Sequence, residues 1–239
     1  MIIDFNYQPI LEDYKKNGEM KLSSILKILE NSGNKHSDTA GDAILEGTGN
    51  GKAWVLTDWY IEILSYPKYG DKVLAKTWSE LVKNPLVCTR DFELYCNGNL
   101  SVIGTTKWIQ LDLERNRPCK IEAELIAKYQ PEDRQTFADT KLPRIPVPES
   151  YENEVKIMTR RADIDFNDHV HNLIYLDYAL EALPKAIYCE RAFTKLRISY
   201  KAAVKESEEI ICKYAKEQNL HICNIFGTDG SLKTQVIFE

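Results

Sequence analysis

The sequence has little of what marks membrane, secreted or nucleic-acid-binding proteins. No apolar run in the chain approaches the ~20 residues of a membrane-spanning helix. The amino-terminal MIIDFNYQPI has no signal-peptide layout. The six cysteines are scattered without a C-x-x-C pair, which argues against a disulfide framework or a zinc site and favours buried free thiols. The formal net charge of -5 argues against a general nucleic-acid binder.

What the sequence does have is enough apolar residues for a core, 44% of the chain, arranged in helix and strand patterns. In the first half, Gly18–Ser32 has helical periodicity and Asn31–Gly51 is polar and glycine-rich. Four runs that partly alternate apolar and polar residues predict antiparallel strands: Ala53–Tyr66, Lys72–Lys83, Val87–Cys96 and Leu100–Leu113. Asn97-Gly98 is a hairpin signal, and Ile121–Tyr129 predicts a short helix.

The second half repeats this order after a proline-containing linker, Gln135–Ser150. A strand-like run, Val155–Thr159, precedes a predicted helix at Asn172–Leu183. Further strands are predicted at Phe193–Tyr200, Glu209–Ala215, Leu220–Phe226 and Leu232–Phe238. Short matches support a duplication: Asn97-Gly98-Asn99-Leu100 with Asp229-Gly230-Ser231-Leu232, and Gly70-Asp71-Lys72-Val73 with Ser207-Glu208-Glu209-Ile210. The pattern predicts an α+β fold of two helix-plus-sheet units.

Polar side chains suited to proton transfer cluster immediately before the second of these helices. Asp165, Asn167 and His169 alternate along what we expect to be an extended loop, so their side chains would line one wall. A histidine can act as acid or base near neutral pH, an asparagine can orient a carbonyl or a water, and the amides at a helix start can bind an oxyanion. Asp168 or Asn172 could cap the helix. The alternative interpretation is ordinary capping and turn chemistry.

The same stretch carries a longer signature. Asp163, Asp165, Asn167, His169, Val170 and Asn172 are followed by Glu181 and Pro184, in the order D-x-D-x-N-x-H-V-x-N and then E-x-x-P. The first half contributes Trp54–Leu56, Ile61–Ile63, Pro67–Asp71 and Thr77-Trp78. Together these motifs cover most of the chain, which resembles the acyl-acyl-carrier-protein thioesterases.

The resemblance implies two tandem hotdog domains, each an antiparallel sheet wrapped around a long helix. We expect an N-terminal domain at 1-134 that forms the acyl-chain pocket, a linker at 135-150, and a C-terminal domain at 151-239 with the catalytic residues. The pre-helix segment of the first half, Tyr14–Gly18, lacks the Asp/Asn/His set. The implied reaction is hydrolysis of fatty acyl-acyl-carrier protein, which releases a free fatty acid and ends chain elongation, without cofactor or metal. The expected partner is acyl carrier protein, and the expected location is the cytoplasm because no transit peptide is evident.

The resemblance also assigns roles within the cluster. His169 would donate a proton to a reacting oxygen or remove one, and Asn167 would hold the water or the substrate. Asp165 would act as base, nucleophile or orienting group, and the sequence leaves these three roles open. His171 stands where the family has an asparagine, and we expect it to face away from the site.

A second departure concerns the loop after the first strand that follows the helix. The family has a glutamate there, followed by a cysteine in plant members, whereas this chain has Ala203 and Val204. The consequence would be slow turnover, use of Glu206 from a shifted loop, or reliance on Asp165 alone. We favour Asp165.

Three other functions stay open: an acyl-CoA thioesterase, a hotdog hydratase, and a catalytically silent acyl-binding protein. Hydratases of this fold use D-x-N-P-H, and Asp168 replaces the proline here. Between Lys185 and Lys205 lie six basic residues and one acid, Glu190, which could steer an acidic carrier protein. The sequence does not decide acyl chain length or whether the chain forms a homodimer.

Overall fold

The computed structural model describes residues 1–42, 51–138, 142, 145–190 and 192–239. The chain divides into two compact units, Met1–Thr140 and Lys141–Glu239, called the N-terminal and C-terminal units below. Pro143 of the predicted linker, Arg191 of the basic stretch and residues 43–50 of the predicted loop lie outside the described residues. None of the described helices combines the length and the apolar composition of a membrane span.

The N-terminal unit wraps a sheet around one main helix. Its described elements are β1 (Ile3–Tyr7), α1 (Leu22–Thr39), β2 (Lys52–Ile63), β3 (Val73–Ser79), β4 (Cys88–Cys96), β5 (Asn99–Asp112), β6 (Arg117–Cys119) and α2 (Ala123–Lys128). The strands are antiparallel in the order β1-β3-β4-β5-β2, and β6 pairs with β5. Helix α1 packs on β1, β3 and β4 and buries Ile25, Leu26, Ile28 and Leu29.

The C-terminal unit repeats this design with shorter elements. They are β7 (Asn153–Met158), α3 (Ile174–Ala182), α4 (Lys185–Glu190), β8 (Lys195–Tyr200), β9 (Glu209–Glu217), β10 (Leu220–Gly227) and β11 (Leu232–Phe238). The strands are antiparallel in the order β7-β9-β10-β11-β8. This is the same order as in the N-terminal unit, since each first strand sits beside the third strand of its unit. The predicted α+β duplication is confirmed.

The hairpin signal and the loop match found in the sequence have structural counterparts. Asn97 and Gly98 both take positive φ, 50° and 83°, in the tight turn between β4 and β5. Gly70 and Ser207 also share a left-handed conformation, with φ of 91° and 60°, in the loops before β3 and β9. The sequence missed β1, a five-residue edge strand.

The first helix is longer than predicted. It begins at Leu22 and continues to Thr39, so the prediction of a loop from Asn31 is wrong up to that residue. The extension is stabilised by the buried guanidinium of Arg90 on β4, which donates to the Gly33 carbonyl at 2.5 Å and to the Ser37 hydroxyl at 3.1 Å. His36, which falls in the stretch predicted to be a loop, is therefore buried in α1.

The second helix is shorter than predicted and is not capped as expected. It begins at Ile174 rather than Asn172, and its N-cap residue is Leu173, whose side chain makes no capping hydrogen bond. The proposed caps, Asp168 and Asn172, are therefore wrong. The helix ends at Ala182, just before Pro184, as the proline predicts.

The cysteines are not all buried. Cys96, Cys212 and Cys223 lie in the cores of their units, where burial raises the pKa of each thiol. Cys189 on α4 is exposed, so the expectation of a buried thiol is wrong there.

Candidate active site

Asp165, Asn167 and His169 lie on a tight hairpin turn and not on an extended loop. Ile164 and Val170 form an antiparallel bridge. Inside it, the Asp165 N–H donates to the His169 carbonyl at 2.8 Å. Residues that face each other across an antiparallel pair put their side chains on the same side, so Asp165 and His169 are neighbours. All three predicted site residues therefore lie on one hairpin turn, a geometry different from the one expected.

The side chain of Asp165 fixes the shape of this turn. Its Oδ1 accepts the N–H of Asn167 at 2.8 Å and the N–H of His169 at 3.4 Å. Such aspartate-to-backbone bonds close a turn and orient the carboxylate. Asp168 at the tip takes a positive φ of 60°. Asp165 and His169 are half-buried and Asn167 is exposed, so all three can be reached by a ligand.

Asp163, the first residue of the signature, lies just before the hairpin turn. It is 1% exposed and closes a 3-10 turn by accepting the Arg160 N–H at 2.8 Å. Its carboxylate also accepts the Tyr178 hydroxyl at 2.6 Å and Arg160 Nη2 at 2.7 Å. Burial alone would raise the pKa of this carboxyl, but the hydrogen bonds from Arg160 and Tyr178 outweigh it and lower the pKa. The Asp163 carboxylate therefore links the 3-10 turn to Tyr178 on α3.

Two amides at the start of α3 are already used within the chain. The Ile174 N–H donates to the His171 carbonyl at 2.9 Å, and the Leu176 N–H donates to the Leu173 carbonyl at 3.1 Å. The expected oxyanion donors at this helix start therefore do not include these two groups.

The loop after β8 packs against the turn through Val204. The Val204 carbonyl accepts the Val170 N–H at 2.8 Å, and Val204 itself is fully buried. Ala203, which the sequence resemblance aligns with a glutamate, is exposed. Glu206 lies on the same loop and forms an ion pair with Arg161 at 3.1 Å, in which the two side chains are 47% and 94% exposed.

Tyr175 is a residue of this region that the sequence reasoning missed. Its hydroxyl oxygen accepts the Val204 N–H at 3.0 Å. Burial, together with the charges of Glu208 and Asp165, raises the pKa of Tyr175 to about 12, against a lowering effect of the Val204 hydrogen bond. The apolar spacing of the helix identifies Tyr175 as a core residue, and no local pattern distinguishes its hydroxyl.

The N-terminal unit contains the same turn. Tyr14 and Met20 form the antiparallel bridge. The Lys15 N–H donates to the Glu19 carbonyl at 2.7 Å, and the Gly18 N–H donates to the Lys15 carbonyl at 2.9 Å. Gly18 occupies the left-handed tip with φ of 80°. Both turns lie between a 3-10 turn and the main helix of their unit.

The two turns differ in their reactive side chains. Lys15 replaces Asp165 and Glu19 replaces His169, so the N-terminal turn has neither the aspartate nor the histidine. It does keep an asparagine, Asn17, contrary to the expectation that the whole set is missing. The Asn17 amide donates to Glu19 Oε2 at 2.9 Å.

Comparison with protein families decides the assignment. The model described as acyl-ACP thioesterase N-terminal domain matches residues 3–129, and the model described as acyl-ACP thioesterase C-terminal domain matches residues 148–236. The chain belongs to the acyl-ACP thioesterase family. The hairpin turn with Asp165, Asn167 and His169 lies in the part matched by the C-terminal model.

Curated relatives are plant members of this family. Oleoyl-acyl carrier protein thioesterase 2 of Arabidopsis thaliana is 27% identical over 191 residues, which is 74% of this chain and 52% of the relative. The oleoyl-acyl carrier protein thioesterase of Coriandrum sativum is 25% identical over 74% of this chain and 51% of the relative. The chain thus spans about half the length of these relatives.

Solved structures agree on the fold. An acyl-ACP thioesterase from Bacteroides thetaiotaomicron superposes with a TM-score of 0.88 at 20% identity, covering 99% of this chain and 96% of that one. The 12:0-ACP thioesterase from Umbellularia californica gives 0.91 at 15% identity, covering 100% and 96%. The predicted tandem hotdog fold is confirmed, with a second helix that is short and not long.

Proposed function

We propose that the chain hydrolyses the thioester of fatty acyl-acyl-carrier protein and releases a free fatty acid. The observation that carries this proposal is the C-terminal hairpin turn, in which Asp165 and His169 face each other across a backbone hydrogen bond and Asn167 lies between them in the chain. The curated relatives named as acyl carrier protein thioesterases support the same substrate class.

In the proposed reaction a water oxygen attacks the thioester carbonyl carbon, the C–S bond breaks, and the thiol leaves with a proton. His169 is the group that moves the proton, because an imidazole can both accept and donate one near neutral pH. Asn167 holds the water or the carbonyl. Asp165, whose Oδ1 is fixed by two backbone amides, orients the turn or acts on the water with its carboxylate.

The absence of a carboxylate at Ala203 leaves Asp165 as the favoured acid–base partner. Glu206 is the alternative from the same loop, and its carboxylate is occupied by the ion pair with Arg161. We therefore assign the chemistry to Asp165 and His169 and give Glu206 no role.

We further propose that the N-terminal unit binds the acyl chain. Its turn lacks the acid–base pair, and the sheet side that faces α1 is apolar, with buried Ile61, Leu94 and Val102. Substitutions on that side should change the preferred chain length and leave the hydrolysis itself intact.

The basic stretch after α3 is only partly available for steering a carrier protein. Lys195 pairs with Glu239 at 3.4 Å, and Lys201 donates to the Ser199 hydroxyl at 2.8 Å. Lys205 is exposed. If carrier protein docks on this stretch, KM should rise with salt concentration, and this salt dependence should be weaker in Lys205→Glu.

Thiol release from purified protein tests the proposal. A series of acyl-carrier-protein and acyl-CoA thioesters is compared for the wild type, Asp165→Ala and Lys15→Ala. Release from carrier-protein substrates that is lost in Asp165→Ala and kept in Lys15→Ala supports the assignment, since Lys15 occupies the equivalent place in the other turn.

The alternatives give distinct results in the same assay. Release from acyl-CoA alone would indicate an acyl-CoA thioesterase, and hydration of an enoyl thioester without thiol release would indicate a hydratase. Binding of acyl thioesters without turnover would indicate a silent acyl-binding protein.

A further inference from the structure

Three tyrosine hydroxyls surround the hairpin turn of the C-terminal unit. Tyr178 donates to Asp163, the residue below the turn, at 2.6 Å. Tyr200, the last residue of β8, donates to the Asn172 carbonyl just after the turn at 2.9 Å. Tyr175 accepts the N–H of Val204, whose carbonyl in turn binds the turn at Val170. The turn is therefore tied to α3, to β8 and to the loop that follows β8.

The ring of Tyr175 also contacts the rings of the other two tyrosines. Tyr175 packs edge-on against Tyr178, with ring centroids 6.3 Å apart, and against Tyr200, at 5.7 Å. Edge-to-face packing fixes ring orientation, so the three hydroxyls are held in a defined arrangement. Tyr175 and Tyr178 are 2% and 4% exposed, which means that the ligand would meet the turn and not these hydroxyls.

The N-terminal unit shows what the same positions look like around a turn without the acid–base pair. Counted from the turn, Ile25 and Ile28 stand where α3 has Tyr175 and Tyr178. The N–H groups of Leu64 and Ser65 both donate to the Ser101 carbonyl. In the same way, the N–H groups of the two residues after Tyr200 both donate to the Lys233 carbonyl. Ile63 therefore corresponds to Tyr200. All three tyrosines are thus isoleucines in the other unit.

The loop residue changes together with its tyrosine. Met20 in the N-terminal turn donates to the Pro67 carbonyl at 2.8 Å, as Val170 donates to Val204 in the C-terminal turn. A proline has no N–H, so a hydroxyl at Ile25 would find no donor there. In the C-terminal unit the loop residue Val204 has an N–H, and the tyrosine hydroxyl on the helix accepts it. The hydroxyls are not needed for the shared fold, because the N-terminal unit forms the same turn without them.

We propose that Tyr175, Tyr178 and Tyr200, the tyrosine clamp, are positioning residues that hold the turn of Asp165 and His169 in its reactive geometry. The inference rests on the proposed function for its effect on turnover. Small misplacements of reacting groups lower the reaction rate strongly, so side chains that hold the turn in one conformation raise kcat.

Tyrosine-to-phenylalanine variants test the clamp, because they remove a hydroxyl and keep the ring. We expect Tyr175→Phe and Tyr178→Phe to lower kcat by about 10- to 100-fold, while KM changes by no more than about twofold. The matched control is Tyr7→Phe. The Tyr7 hydroxyl donates to the Asp13 carboxylate at 2.9 Å, and Asp13 precedes the N-terminal turn as Asp163 precedes the C-terminal turn. This bond is the counterpart of the bond between Tyr178 and Asp163. Tyr7→Phe should lower the melting temperature as Tyr178→Phe does and leave kcat unchanged.

A second readout does not depend on turnover. The imidazole proton resonances of His169, assigned with His169→Gln, should shift in Tyr175→Phe and Tyr178→Phe and stay in place in Tyr7→Phe. Tyr200→Phe serves if either helix variant fails to fold. Wild-type kcat and unshifted His169 resonances in the clamp variants would overturn the inference. If the wild type releases no thiol from any thioester, the proposed function fails, and the His169 resonances still decide whether the tyrosines position the turn.

Discussion

The turn before α1 and the turn before α3 share a backbone and differ in chemistry. Each is closed by an antiparallel bridge and has a left-handed residue at its tip, Gly18 in one and Asp168 in the other. The N-terminal turn carries Lys15 and Glu19 where the C-terminal turn carries Asp165 and His169. The difference shows that the turn itself is part of the duplicated fold, whereas the proposed acid–base pair and the proposed tyrosine clamp belong to one unit. Every residue of the site thus has an internal control.

The largest effect should come from removing the imidazole. We expect His169→Ala to reduce thiol release by about 10²-fold or more, the scale of a lost general acid–base group. Glu19→Ala, at the same place in the N-terminal turn, should retain wild-type turnover. Equal activities of the two variants in the thiol-release assay would remove His169 from the mechanism.

The grouping of the three candidate site residues could be predicted from the sequence. Asp165, Asn167 and His169 lie within five positions of the chain, so their grouping needs no long-range contact. Their hairpin geometry was mispredicted because it depends on the bridge between Ile164 and Val170, which polar alternation does not reveal.

Long-range contacts explain the other errors. The helix continues past Ser32 because Arg90, on a distant strand, reaches the Gly33 carbonyl and the Ser37 hydroxyl. The role of Tyr175 depends on Val204, which lies on a loop far along the chain. In each case the local sequence, a polar stretch or an apolar helix face, is compatible with several structures. The contact with the distant residue, Arg90 or Val204, selects one of them.

The second effect concerns the buried aspartates below the two turns. Both pKa values are lowered, since hydrogen bonds to Asp13 from Lys27 and Tyr7, like those to Asp163, outweigh the raising effect of burial. A lowered folded-state pKa stabilises the fold above the unfolded-state value, and this contribution is lost as the pH falls through the folded-state value. Asp163→Asn and Asp13→Asn should each lower the free energy of unfolding by about 1–3 kcal/mol at neutral pH. In each variant the free energy of unfolding should also fall less steeply than in the wild type as the pH is lowered.

Activity separates these two variants where stability does not. Chemical denaturation at several pH values measures the stability change, and kcat is measured on the same samples. Asp163→Asn should lower kcat and Asp13→Asn should not. A comparable kcat loss in both would mean that the N-terminal turn contributes to turnover.

A third effect lies on the sheet faces that point away from the main helices. In the N-terminal unit Glu80 and Asp91 are both buried, and they accept hydrogen bonds from Gln135 Nε2 at 2.8 Å and from the Thr136 N–H at 2.6 Å. Burial, followed by the charge of Asp91, raises the pKa of Glu80 to about 7. The C-terminal unit has neutral amides, with Gln235 donating to Asn224 at 3.2 Å.

The carboxyl pair should make the N-terminal unit sensitive to pH. A raised folded-state pKa gives stability that is complete below the unfolded-state value, about 4.3, and that is lost as the pH rises through about 7. Glu80→Gln removes the titrating carboxyl, so the free energy of unfolding should decline less steeply as the pH rises through about 7. Asn224→Asp, which introduces a buried carboxyl in the other unit, should create such a decline there. Parallel stability curves for Glu80→Gln and the wild type across this range would contradict the assignment.

The smallest effect should come from Glu206. Its ion pair with Arg161 is largely exposed, and exposed pairs contribute about 0–1 kcal/mol. If Asp165 performs the chemistry without the family glutamate, Glu206→Gln should keep kcat within about twofold and reduce stability by less than about 0.5 kcal/mol. Arg161→Ala is the matched control, because it breaks the same pair and frees the carboxylate. A kcat loss in Glu206→Gln that Arg161→Ala does not share would place Glu206, and not Asp165 alone, in the role that the position of Ala203 leaves open.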